Sequence, residues 1–84
     1  MKVLIAKVDQ ILYEGQADSL TVPAVGGVMT ILRSHMPLVT TLKYGALIVR
    51  LPAEAALRHG GRELQFPVSS GVLEVRRDGA TVML

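Results

Sequence analysis

The chain contains no cysteine and no tryptophan, and its only aromatic residues are Tyr13, Tyr44 and Phe66. Without cysteine there is no disulfide staple, no thiolate nucleophile and no thiolate-held zinc. The two histidines, His35 and His59, stand far apart, and no paired-carboxylate spacing accompanies them. A metal centre would have to gather ligands from scattered loops, so no metal and no cofactor is expected. Three aromatics supply no row of stacking platforms. The nine basic residues, Lys2, Lys7, Arg33, Lys43, Arg50, Arg58, Arg62, Arg76 and Arg77, are spread along the chain among seven acids, for a net charge of +2. Nucleic acid, which calls for a clustered basic stripe, is therefore not an expected partner.

Long hydrophobic runs are also missing. The longest uncharged stretch, 19–32, is fourteen residues and is interrupted by Pro23, Gly26 and Gly27. That is short of the roughly 20 apolar residues a membrane-spanning helix needs. Between Lys2 and Lys7 there are only Val3, Leu4, Ile5 and Ala6, too few for the apolar region of a signal peptide. The chain is expected to stay in the compartment where it is made.

What remains is 84 residues, half of them hydrophobic, with twelve leucines and eleven valines. This is material for one small domain over 1–84 with a packed core. Glycines and prolines divide the apolar residues into runs of four to seven, a strand rhythm. Strands are predicted at Lys2 to Val8, Gln10 to Glu14, Ala17 to Val22, Val28 to Leu32, Leu38 to Leu42, Ala46 to Leu51, Glu63 to Val68, Val72 to Arg76 and Ala80 to Leu84. In the seventh, Leu64, Phe66 and Val68 fall on one face, and Pro67, lacking an N–H, places it at an edge or a bulge. Asp78-Gly79 reads as a tight hairpin turn with positive backbone angles. The segment Pro52 to Arg58 has helix-forming composition but is too short to hold a helix alone. It is read as an extended hairpin connection, with a single helical turn as the alternative. No helix is long enough to cross over between parallel strands, so the expected fold is all-β, a flattened antiparallel β-sandwich.

Catalytic groups are not apparent. Ser34 and His35 are adjacent, and on a strand they point to opposite faces. Ser69 and Ser70 precede Gly71 without the G-x-S-x-G elbow, and no phosphate-binding G-x-x-x-x-G-K-[ST] loop occurs. The acids Asp9, Glu14, Asp18, Glu54, Glu63, Glu74 and Asp78 fall mostly in turns or on wet faces, which assigns them to solubility. No catalytic residue is expected. The residues alone point to a small β module that binds something.

Four motifs narrow this. Leu12, Tyr13, Glu14, Gly15, then Ala17, Asp18, Ser19, then Thr21, Val22, Pro23 resemble the opening of the epsilon subunit of rotary ATP synthases. Gly27, Ile31 and Leu32 precede His35, Met36, Pro37, Leu38, similar to that family's histidine-x-proline-leucine segment. Leu42, Lys43 and Gly45 follow at the family spacing, and Val68 to Val75 resembles its serine-glycine-leucine-glutamate-valine strand. The resemblance implies a sandwich of about ten short strands that grips the rotating gamma subunit and sits on the polar loops of the c-ring. It implies a non-catalytic rotor subunit coupling proton-driven rotation to ATP synthesis, at the cytoplasmic face of the bacterial inner membrane or an equivalent organelle face. Membrane association would come only through the complex. Carried over by position, Arg33, His35, Met36 and Leu38 would meet gamma, and Val28 and Met29 would face the c-ring.

Three departures from the family pattern stand out. Val28 and Thr30 occupy positions where the family commonly has glutamate and glycine, which makes the expected ring contact more apolar. The connection Pro52 to Gly61 is longer than usual. The sequence stops at Leu84, where most members continue into two helices that can inhibit hydrolysis, so no C-terminal helical domain and no such inhibition are expected. The competing class is an independent β-sandwich module for a small ligand or glycan. It would want an aromatic-lined hollow, for which three aromatics are few.

Overall fold

The computed structural model describes all 84 residues. Nine strands and one short helix follow in the order β1 (Lys2–Lys7), β2 (Gln10–Gln16), β3 (Ser19–Ala24), β4 (Gly27–Leu32), β5 (Leu38–Leu42), β6 (Gly45–Arg50), α1 (Ala53–His59), β7 (Glu63–Val68), β8 (Gly71–Arg76) and β9 (Gly79–Met83). The nine predicted strands are all present. The count is nine rather than about ten.

The strands form one curled sheet in the order β2-β1-β9-β8-β5-β3-β6-β7, with β4 paired to β3. It folds over as two layers, β2-β1-β9-β8-β5 and β4-β3-β6-β7. They meet where Ala24 pairs with Leu42. There the Val25 N–H reaches the Thr41 carbonyl at 3.0 Å and the Lys43 N–H reaches the Pro23 carbonyl at 2.8 Å. Alternation along each strand sends Val3 and Ile5, Leu20 and Val22, Leu47 and Val49, Leu73 and Val75, and Ala80 and Val82 into a single apolar cluster between the layers. No polar or charged residue is buried with them.

One pairing departs from the all-antiparallel expectation. β1 and β9 run parallel, Lys2 opposite Gly79 through Ala6 opposite Met83. A parallel pair needs a long connection, and here nearly the whole chain between its two ends supplies it, so no crossover helix is required. Pro67 lies on β7, which ends the sheet and pairs only with β6, as a strand without one N–H should. Leu64 and Phe66 are half-buried and Val68 is buried, on the predicted inward face.

Two local expectations change. The β8–β9 hairpin turns through Arg77 and Asp78, and neither these nor Gly79 has a positive φ. Glycine is needed at 79 for another reason: a Cβ there would collide with the backbone carbonyl of Lys2 on β1. The 52–61 connection is helical rather than extended. The N–H groups of Ala55 and Ala56 both lie 3.0 Å from the Pro52 carbonyl, and Gly60, at φ 77°, ends the helix in the left-handed conformation. Glu54 in the first turn and Arg58 and His59 in the last suit the helix dipole. Ala55 is buried against the core cluster, and this tertiary contact supports a helix too short to persist alone.

Leu47→Ala, at a fully buried position, is expected to cost about 2–5 kcal/mol in chemical denaturation. Gly79→Ala should also lower the midpoint, by forcing β9 away from β1, whereas Val8→Ala, on a residue 98% exposed, should change stability by less than about 0.5 kcal/mol.

Candidate binding surfaces

The segment between β4 and β5 is a short turn. Ser34 takes φ 67°, the only non-glycine residue with a positive φ, and the His35 N–H bonds the Leu32 carbonyl at 3.1 Å. His35 Nδ1 lies 2.8 Å from the Met36 carbonyl. A carbonyl only accepts, so Nδ1 carries the hydrogen and is not free to act as a base towards Ser34. Met36 is left 78% exposed at the apex. Arg77, from the β8–β9 hairpin, shares a cleft of about 370 Å³ with Ser34 to Pro37. Of the four residues assigned to one contact, Arg33 and Met36 are on the surface and His35 is half-buried. Leu38 is directed inward, opposite Val75, and packs against the core.

Val28 and Met29 separate in the same way. Val28 is 73% exposed, while Met29 packs against the core. Val28 lies near the β3–β4 turn, and the Met36 turn follows the other end of β4. The two positions are separated by roughly 13 Å of strand from Val28 to Leu32.

A further surface was not singled out from the sequence. Across the outer face of the five-strand layer, Thr41 pairs with Val72, Val72 with Met83, Met83 with Ala6, and Ala6 with Ile11. Val72, Met83 and Ile11 are exposed, and Val39, on the same face nearer the Met36 turn, is 70% exposed. An apolar surface therefore runs from Met36 through Val39 towards Val72 and Met83. The signal is visible only after alternation assigns Leu73, Val75 and Val82 inward, which leaves valine and methionine at outward positions where polar residues are the rule. Charge interrupts this face, because Glu74 stands directly opposite Val39 on it. Arg76 donates to Glu74 at 3.0 Å and to Thr81 at 2.9 Å.

Two groups steady the far end. Arg62 donates to the Leu51 carbonyl from Nε at 3.1 Å and from Nη2 at 2.9 Å, and Nη2 also reaches Asp18 at 2.8 Å. Tyr13 donates to the Gln16 carbonyl at 2.7 Å, and its ring centroid lies 5.9 Å from that of His59 at the end of α1. Burial raises the Tyr13 pKa above 10.0, partly opposed by the nearby Arg58 charge. The carboxylates of Asp18, Glu63, Glu74 and Asp78 sit in exposed ion pairs with arginines. No three histidine, aspartate or glutamate side chains converge as a ligand set. Tyr44 and Phe66 line a groove of about 480 Å³ with Pro67, and Tyr44 stands 85% exposed at its margin.

Arg62→Ala should lower stability by about 1–3 kcal/mol because it unpairs the Leu51 carbonyl. Asp18→Asn, removing an exposed pair, should cost less than about 1 kcal/mol. In Tyr44→Phe, Tyr13 is the sole tyrosine and its absorbance should titrate above 10.0. Because the folded-state value is raised, its contribution is complete below the unfolded value and is lost as pH rises through the folded one, so thermal stability should fall there.

A family model described as ATP synthase, Delta/Epsilon chain, beta-sandwich domain matches residues 1–84. The ATP synthase epsilon chain of Neisseria meningitidis serogroup B is 35% identical over 83 residues, covering 99% of this chain and 55% of the relative. That of Brevibacillus brevis is 35% identical, covering 99% and 58%. The chain thus spans little more than half the length of these relatives. Among solved structures, a chain of the Euglena gracilis mitochondrial ATP synthase OSCP/F1/c-ring superposes with TM-score 0.79 at 22% identity, covering 96% of this chain and 48% of that one. A chain of the Tetrahymena thermophila central stalk/c-ring superposes with TM-score 0.74 at 16% identity, covering 99% and 63%. These likenesses agree with the curled sandwich. The chain belongs to the ATP synthase delta/epsilon-chain β-sandwich family.

Proposed function

We propose that the chain is a non-catalytic rotor subunit that binds the gamma subunit of an ATP synthase and contacts the c-ring, transmitting rotation without chemistry of its own. Family membership over the whole chain supplies the setting. The observation that carries the assignment is the exposure of Met36, Val39, Val72 and Met83 around the Glu74–Arg76 pair on the outer face of the five-strand layer. Exposed apolar side chains grouped in this way on a small domain mark a docking surface, and the charges of Arg76 and Arg77 give it polar contacts, whereas Arg33 lines a separate groove with Asp18 and Arg62. Gamma is the proposed occupant of the docking surface. His35 shapes the turn through its bond to the Met36 carbonyl, Met36 inserts, and Leu38 supports the turn from beneath.

The c-ring contact rests on Val28 at the β3–β4 end. Met29, held against the core, backs it and does not reach outward. With Val28 and Thr30 in place of an acid and a glycine, this contact is apolar. Torque transmission asks for stiffness and a spread interface, and a two-layer sheet with a charge-free core provides the first. The proposed setting is the cytoplasmic face of the bacterial inner membrane, or the equivalent organelle face, where the chain is held only through its partners in the complex. No helix of this chain is long and apolar enough to cross a membrane.

The combined substitution His35→Ala, Met36→Ala should weaken binding to purified gamma by more than about 1 kcal/mol in calorimetry, as expected of central interface truncations. Unfolding should be little altered, since Met36 lies outside the core. Unchanged affinity would remove these residues from the contact.

A further inference from the structure

The outer edge of β4 belongs to neither the core nor the gamma-facing surface. β4 pairs only with β3. In an antiparallel ladder, successive residues alternate between bonding the partner strand and turning their backbone groups away from it. Pro23, which has no N–H, stands opposite Val28. With the two-residue turn Val25-Gly26 closing the hairpin at Ala24 and Gly27, Val28, Thr30 and Leu32 turn their backbone groups to the open edge. An edge strand is a template for another strand unless something guards it. β7 is guarded by Pro67 and Glu63. β2 carries Glu14 and pairs with β1 through an irregularity at Ile5/Ala6. β4 has neither charge nor proline, and its sequence is Gly-Val-Met-Thr-Ile-Leu.

We infer that the free chain pairs with a second copy of itself along β4, antiparallel about Thr30. The sequence is self-complementary in that register. Thr30 meets Thr30 of the second copy, Val28 meets Leu32, Met29 meets Ile31, and Gly27 meets Arg33. Val28 and Leu32 are both exposed, and Met29 and Ile31 both face the core side, so each layer continues into its own kind. Such an isologous twofold contact repeats every favourable pair. Arg33 is the only fixed charge between Asp18 and Lys43, and it meets a glycine, so no like charges are apposed. Thr30 Oγ1 already lies 3.1 Å from Thr21 Oγ1, and cross-strand threonine pairs are favourable. Of the outward residues beside β4, Ser19 and Thr21 on β3 and Ile48 on β6 are uncharged, and the one charge, Arg50 opposite Ser19, is already paired with Glu63, so the two four-strand layers can join edge to edge. Because the contact covers Val28, it excludes the ring contact proposed above and describes the chain before assembly.

Sedimentation equilibrium over a concentration series tests this, with the 9.0 kDa chain expected to approach twice that mass. Thr30→Lys, which places two ammonium groups opposite each other on the axis, should remain monomeric with an unchanged far-UV spectrum. Val8→Lys, at the β1–β2 turn, should dimerise like the parent. Since the chain has no cysteine, Thr30→Cys supplies an independent reading: oxidation should yield a linked dimer readily, whereas Val28→Cys, whose equivalents lie four residues out of register, should not. A parent that stays monomeric throughout, or equal cross-linking of the two cysteine variants, would overturn the inference.

Discussion

The structure depends on β3. It is the strand that holds the two layers together: β4 lies along one side, β6 pairs with its first half, and its end reaches β5 through the Ala24 and Leu42 pair. Leu20 and Val22 on this strand are fully buried between the layers. The hydrophobic burial that folds so small a domain is thus organised around a strand that pairs both with its hairpin neighbour β4 and with the more distant β5 and β6. A second closure, the parallel β1–β9 ladder, ties the two ends of the chain together and accounts for the glycine at 79. A domain closed in both ways can carry a load through its sheet while leaving its outer faces free for partners.

Those outer faces divide the work. The five-strand layer offers valine and methionine side chains beside a proline-bearing turn, rimmed by arginines. The four-strand layer offers a largely uncharged face with one ion pair, Arg50 with Glu63, at its corner. Neither face has a nucleophile beside a free base, and the one histidine near a serine spends Nδ1 on a backbone carbonyl.

Much of this was legible beforehand because strand period and punctuation are local. The runs from Lys2 to Leu84 mark nine strands, and Pro67 marks an edge. Long-range pairing was not legible, since nothing in β1 or β9 alone announces that they lie side by side. The Asp78-Gly79 pair suggested a turn of one kind, yet the glycine answers to a steric approach from Lys2. The α1 segment has a helical composition, and only burial of Ala55 decides that it becomes a helix. His35 and Met36 stand in a recognisable motif, but which of Val28 and Met29 points outward, and that Leu38 points in, follows from register. The Val39, Val72 and Met83 surface was hidden because apolar residues in a strand are read as core until the sheet is assembled.

Amide hydrogen exchange of the chain with and without purified gamma subunit tests the central claim most directly. Protection on binding should concentrate in residues 33–39 and in the adjoining β8 and β9 strands, with α1 unchanged. Protection confined to α1 or the β6–β7 edge, or none at saturating gamma, would contradict the assignment of this surface.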